Sequence, residues 1–130
     1  MNRTLLLGAA AVATTLAFAA PANAQGNWRT IAYKTVASGT DRDIINVRGD
    51  RRYRQVRLCA FNAPIRMRDF DIRFDNGGRQ DVRVRQRIGA GTCTRNIDLE
   101  GNRRDIERIR LIYERLPRSR HRPLIRVQAR

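Results

Sequence analysis

From residue 27 onward, apolar and polar residues alternate with period two along most of the chain, the pattern of strands with one buried face. The clearest case is RQDVRVRQR at 79–87, where Val82 and Val84 alternate with Arg83, Arg85 and Arg87. This predicts a strand with its valines in the core and its arginines toward solvent. YRQVRLCAF at 53–61 places Val56, Leu58 and Ala60 on one face and Arg57 and Cys59 on the other. IRMRDFDIRF at 65–74 also alternates, but its apolar positions shift from odd (Ile65, Met67) to even (Phe70, Ile72, Phe74). One extra residue near Asp69, a β-bulge, would restore the register. DNGG at 75–78 predicts a hairpin turn, because Asn and Gly accept positive φ. Residues 79–87 then form the return strand of 65–74.

Weaker strand patterns lie at 27–36, 43–47, 96–99 and 124–128, with a glycine loop at 88–92 and a basic loop bracketed by prolines at 117–123. RRDIERIRLIYERL at 103–116 fits two templates. Ile106, Ile109, Ile112 and Leu116 make a helical stripe, whereas Ile109, Leu111 and Tyr113 make a strand face. The reading adopted is a helical turn near 103–107 followed by a strand. The expected fold is all-β: a single antiparallel β-sandwich of about eight short strands.

The first 24 residues read differently. Arg3 precedes an apolar run at 5–19, and APANA follows, with Ala22 and Ala24 in the A-x-A arrangement of a signal-peptidase site. The run has 15 residues, and a membrane span needs about 20. The expectation is a signal peptide at 1–24, cleavage after Ala24, and a periplasmic or secreted domain at 25–130. The alternative is an N-terminal membrane anchor. No other stretch is apolar for long enough to span a bilayer, so the domain is expected not to be membrane-spanning. Cleavage removes 24 of 130 residues and one positive charge from a net +15, leaving 106 residues and +14. That length suits one domain with one core.

Charge narrows the choice of partner. Lys and Arg number 27 against 12 Asp and Glu, and Lys34 is the one lysine. So large an excess repels itself in the compact state. It implies a polyanionic partner, or a soluble exported protein in an acidic envelope. The two cysteines, Cys59 and Cys93, are expected to pair in an oxidising compartment. Such a bridge would stabilise by about 3–4 kcal/mol on the chain-entropy account. The alternative is two buried thiols. No C-x-x-C spacing suggests a redox pair. A metal would have at most Cys59, Cys93 and His121, and His121 sits in RSRHR, whose arginines repel a cation.

Taken together, NWRTIA, the segment from DRDIINV to RRDIERIRLIYE, the DNGGRQ hairpin and GAGTCTRNIDL resemble the small exported bacterial domains of domain-of-unknown-function family 2541. The resemblance covers nearly all of the cleaved chain. It implies an exported β-domain and carries over no functional residue.

Catalytic motifs are missing from the sequence. There is no nucleophile elbow, phosphate-binding loop or zinc-protease motif. A Ser-His-Asp set could be drawn only from His121 with Ser38 or Ser119, and no carboxylate neighbours His121 in sequence. Asp69, Asp71 and Asp75 miss a calcium loop, because Arg73 takes the next ligand position and Phe74 stands where glycine is needed. Asp69 and Asp71 are instead expected to face arginines on neighbouring strands. Asp98 and Glu100 would form a glycosidase-like pair only if a cleft gathered them.

The arginines remain. Alternation places Arg66, Arg68, Arg83, Arg85, Arg87, Arg108 and Arg110 opposite apolar residues. If their strands share a sheet, one face is rich in guanidinium groups, which grip carboxylate and phosphate bidentately. The expected function is a non-enzymatic exported envelope domain, without a cofactor, that binds polyanions such as lipopolysaccharide phosphates, acidic polysaccharide or extracellular DNA. An acidic protein is the other partner class. The alternatives are a structural or protein-interaction domain with no ligand of its own, and a hydrolase with an unrecognised site. Sequence-specific nucleic-acid reading is not expected: no recognition helix is visible, and aromatics, at 6%, are too few for a stacking platform. No oligomeric state is signalled.

Overall fold

A computed structural model describes residues 27–118 and 120–130. The expected signal peptide and Ser119 lie outside the described residues.

Ten strands are present among the described residues, against the expected eight or so: β1 (Arg29–Thr35), β2 (Arg42–Asn46), β3 (Arg52–Tyr53), β4 (Gln55–Phe61), β5 (Ile65–Phe74), β6 (Arg79–Ile88), β7 (Thr92–Cys93), β8 (Ile97–Asp98), β9 (Arg104–Tyr113) and β10 (Leu124–Ala129). They form two five-stranded antiparallel sheets. The first runs β1-β10-β4-β7, with β8 also on β4; the second runs β2-β9-β5-β6, with β3 also on β9. The fold is therefore an all-β sandwich. Its core lies between the inner faces. Val56, Leu58, Ile125 and Val127 come from the first sheet, and Phe70, Ile72, Phe74, Ile109, Leu111 and Tyr113 from the second. All are at most 1% exposed, so both sheets are held by continuous apolar burial.

The shift in apolar parity along β5 is a bulge. Its register against β6 and against β9 slips between Met67 and Asp69, at Arg68. Arg85 on β6 lies in the same irregular stretch and takes φ 43°. The β5–β6 hairpin turns where DNGG predicts it. Phe74 and Gly78 share a backbone hydrogen bond of 2.9 Å, and Gly77, at φ 89°, donates to Phe74 O. Val82 and Val84 are buried and Arg83 and Arg85 exposed.

Two expectations are corrected. Residues 103–107 form no helical turn; β9 begins at Arg104. The three-residue spacing from Ile106 to Ile109, which mimics a helix, is a second bulge. Arg73 pairs with Arg108 but Phe74 with Ile106, leaving Glu107 as the extra residue. Both isoleucines thus reach the core from one strand. The single strand expected at 53–61 is also two elements. Arg52 and Tyr53 pair with β9 in the second sheet, while β4 begins at Gln55 in the first. Arg54 is the corner: its N–H and that of Gln55 both donate to Arg130 O, at 2.8 and 3.0 Å.

Cys59 and Cys93 are joined in a disulfide, their Cα atoms 3.9 Å apart. They stand directly opposite on β4 and β7. Thr94 N–H donates to Leu58 O at 2.8 Å, so the cysteines occupy the adjoining non-hydrogen-bonded position, where antiparallel strands approach most closely. The bridge ties the short β7 to the sheet. No described helix is long and apolar enough to cross a membrane.

Candidate functional site

β5, β6 and β9 share the second sheet, so the arginines predicted to face outward do meet on one surface. Three lines of side chains cross its outer face. One is Asn46, Arg108, Arg73 and Arg79, on β2, β9, β5 and β6. The next is Ile44, Arg110, Asp71 and Asp81, and the third is Arg42, Ile112, Asp69 and Arg83. Arg108, Arg73 and Arg79 are therefore directly paired neighbours on three adjacent strands, whose backbones run about 4.8 Å apart. Arg73, Arg79, Arg108 and Arg110 rim a shallow depression of about 190 Å³ with Asp71.

Asp71 is the anchor of this cluster. Its carboxylate accepts from Arg110 Nη2 at 2.8 Å and Nε at 3.2 Å, and from Arg79 Nη2 at 3.3 Å. Its side chain is only 12% exposed. Burial alone would push its pKa up. The hydrogen bonds from Arg110 and Asp81 and the charges of Arg79 and Arg110 outweigh it and hold the group below the usual carboxylate range. Asp81, directly opposite, moves the other way. Its hydrogen bond to Asp71 pushes it up, helped by desolvation and by the charges of Asp71 and Asp69, against the pull of Arg83.

Beyond the β5 bulge the arginines form a second group. Arg66 stands opposite Arg87 and pairs with Glu114 at 3.1 Å. Arg66, Arg68 and Arg85 surround a hollow of about 450 Å³ with Asp69 and Met67. Asp69 Oδ1 is buried there with no hydrogen-bond partner among the described residues. Asp71 therefore meets arginines as expected, whereas Asp69 lies across from Arg83 without forming an ion pair among the described residues.

Of the seven arginines singled out by alternation, Arg66 and Arg110 are engaged with carboxylates. Arg68, Arg83, Arg85, Arg87 and Arg108 make no ion pair with a described carboxylate, nor does Arg73. Arg79 belongs to the first of these lines although it stands at the strand's start, next to the turn, where alternation gives little guidance. Among the described residues no group of three His, Cys, Asp or Glu is arranged to hold a metal ion. Asp98 accepts from Gln55 Nε2 at 2.7 Å and lines a cavity whose lining does not include Glu100.

The outer face of the first sheet carries a different arrangement. The guanidinium carbons of Arg57 and Arg130 lie 4.3 and 4.4 Å from the Trp28 ring centre, and that of Arg126 lies 4.4 Å from Phe61. These are cation–π distances. Burial and the nearby Arg130 charge lower the pKa of Arg57 from its usual value.

No curated protein and no solved structure matches the chain. A match to the family described as "Domain of unknown function (DUF2541)" extends over residues 6–129. This span takes in every described strand, the bulges in β5 and β9 and the disulfide, and the chain belongs to that family.

Proposed function

We propose that the domain works in the cell envelope, after export and cleavage at Ala24, as a non-enzymatic binder of polyanions through the outer face of the second sheet. The observation that carries this reading is the line Arg108, Arg73 and Arg79 across three adjacent strands. Like charges directly opposite in a sheet are destabilising, so such a line is a cost to the folded chain that an anionic ligand would relieve. One exposed guanidinium–phosphate pair contributes only about 0–1 kcal/mol. Affinity must therefore come from many contacts at once, with release of condensed counterions as the driving force. The Cys59–Cys93 bridge supports an oxidising compartment.

Co-sedimentation with lipopolysaccharide tests the reading. Binding at low salt that falls steeply toward physiological salt is expected. Absence of binding at low salt would reject it, and an acidic protein recovered by pull-down from periplasm would replace the polymer with a protein partner.

A further inference from the structure

A cavity of about 650 Å³ shares no lining residue with the arginine lines of the second sheet. It opens where the chain crosses between the sheets at Arg54. Arg29, Arg51, Arg52, Arg54 and Arg130 line it, and Asp98 is its one acidic side chain. These arginines come from three separate parts of the chain, and backbone hydrogen bonds lock their carriers together. Arg54 N–H donates to Arg130 O, Arg130 N–H to Gln55 O at 3.1 Å, and Leu99 N–H to Arg54 O at 2.8 Å.

Side chains preset the charge as well. Gln55 sits between the two signs: its Nε2 donates to Asp98 at 2.7 Å, and its Oε1 accepts from Arg130 Nε at 2.7 Å. Asp98 is thereby occupied by a neutral amide, and it makes no ion pair with Arg29, Arg51, Arg52 or Arg54. Arg130 is braced on its other side by the Trp28 ring. Leu99 and the half-buried Tyr53 supply an apolar wall.

We propose that this cavity binds a small organic phosphate or diphosphate. A single carboxylate ligand would leave most of the positive lining unmatched, whereas a diphosphate offers several charged oxygens to guanidinium forks converging from different directions. The volume falls in the usual range for small-ligand sites, so it accommodates a compact uncharged portion against Tyr53 and Leu99 as well.

Pyrophosphate is the probe. Trp28 is the lone tryptophan, and it stacks on a cavity arginine, so its fluorescence should change on titration. Amide resonances of Tyr53, Arg54 and Leu99 should move with it. The variant Arg29→Gln/Arg51→Gln/Arg54→Gln alters exposed side chains and should fold as the parent does. It should lose about tenfold or more in affinity, since three sets of charge-assisted donors are removed at once. The variant Arg73→Gln/Arg83→Gln/Arg108→Gln, on the second sheet, should bind pyrophosphate as the parent does, which separates this site from the polyanion face. Vesicles containing phosphatidic acid that compete on the same amides would assign the phosphate to a lipid headgroup; vesicles without effect would assign it to a soluble molecule. Unmoved cavity amides at millimolar pyrophosphate, or undiminished binding by the cavity variant, would overturn the proposal.

Discussion

Asp81 stands directly across the second sheet from Asp71, while Arg110 grips Asp71 from the opposite side at 2.8 Å. One carboxyl of the pair is stabilised as an anion, and the other is kept near a proton. Replacing Asp81 by Asn removes a like-charge opposition, and stability at neutral pH should rise by about 0.2–1 kcal/mol. For a domain of this size that is a rise of a few degrees in Tm. The raised pKa of Asp81 means that the folded state holds its proton more tightly than the unfolded chain does. Its favourable contribution is complete below the ordinary carboxylate pKa and is lost as pH rises through the folded value. The gain from Asp81→Asn should therefore shrink as pH falls. Asp71 has the opposite sign: its contribution is present above the ordinary carboxylate pKa and disappears on acidification through its lowered value. Asp71→Asn should destabilise at pH 7. Thermal denaturation of both variants between acid and neutral pH checks the two signs.

The hairpin turn makes a backbone prediction. A Cβ at Gly77 would meet nothing within 4 Å, yet φ there is 89°. Gly77→Ala should cost about 1–2 kcal/mol through conformation alone. Gly77→Asn should cost less, because Asn tolerates the left-handed region. Denaturant midpoints at equal m values measure both.

Reducing the Cys59–Cys93 bridge, which spans 34 residues, should cost about 3–4 kcal/mol. Intact protein should gain two hydrogens in mass on reduction, with Tm falling accordingly. Two thiols alkylated in the native state would contradict the bridge.

Much of this architecture is legible in sequence because a half-buried strand announces itself with period two. Val82 and Val84 inward, Arg83 and Arg85 outward, and the bulge beside Asp69 follow from parity. The same rule misleads where a bulge imitates a helix: Ile106 and Ile109 lie three apart because Glu107 is extra. It also cannot see where a strand changes sheets. Tyr53 and Gln55 share one alternating run, yet Arg54 turns the chain from one sheet into the other, and the lure of continuity hides the corner. The candidate face divides in the same way. Outward orientation of Arg110 is a local property, but its grip on Asp71 depends on two strands 39 residues apart. The cavity at Arg54 leaves no periodic trace in the sequence, because Arg29, Arg51 and Arg130 are brought together only by tertiary pairing of distant segments. RGDRRYR at 48–54 holds three of its five arginines, and that concentration of charge is the signal the sequence carries.

Export has its own test. Protein recovered from periplasm or medium should begin at Gln25 on N-terminal sequencing. Uncleaved chain in the membrane fraction would make the apolar run at 5–19 an anchor.

The central claim, that the outer face of the second sheet binds polyanions, is tested most directly by heparin chromatography of the parent beside Arg73→Gln/Arg83→Gln/Arg108→Gln. None of the three arginines holds a described carboxylate, so the variant should melt close to the parent. The parent should be retained at low salt and released well before high salt, because displaced counterions drive the binding. The variant should elute at distinctly lower salt, with a shallower salt dependence. Identical elution of a folded variant and its parent would contradict the claim and leave these arginines as the solvated side of a β-sheet.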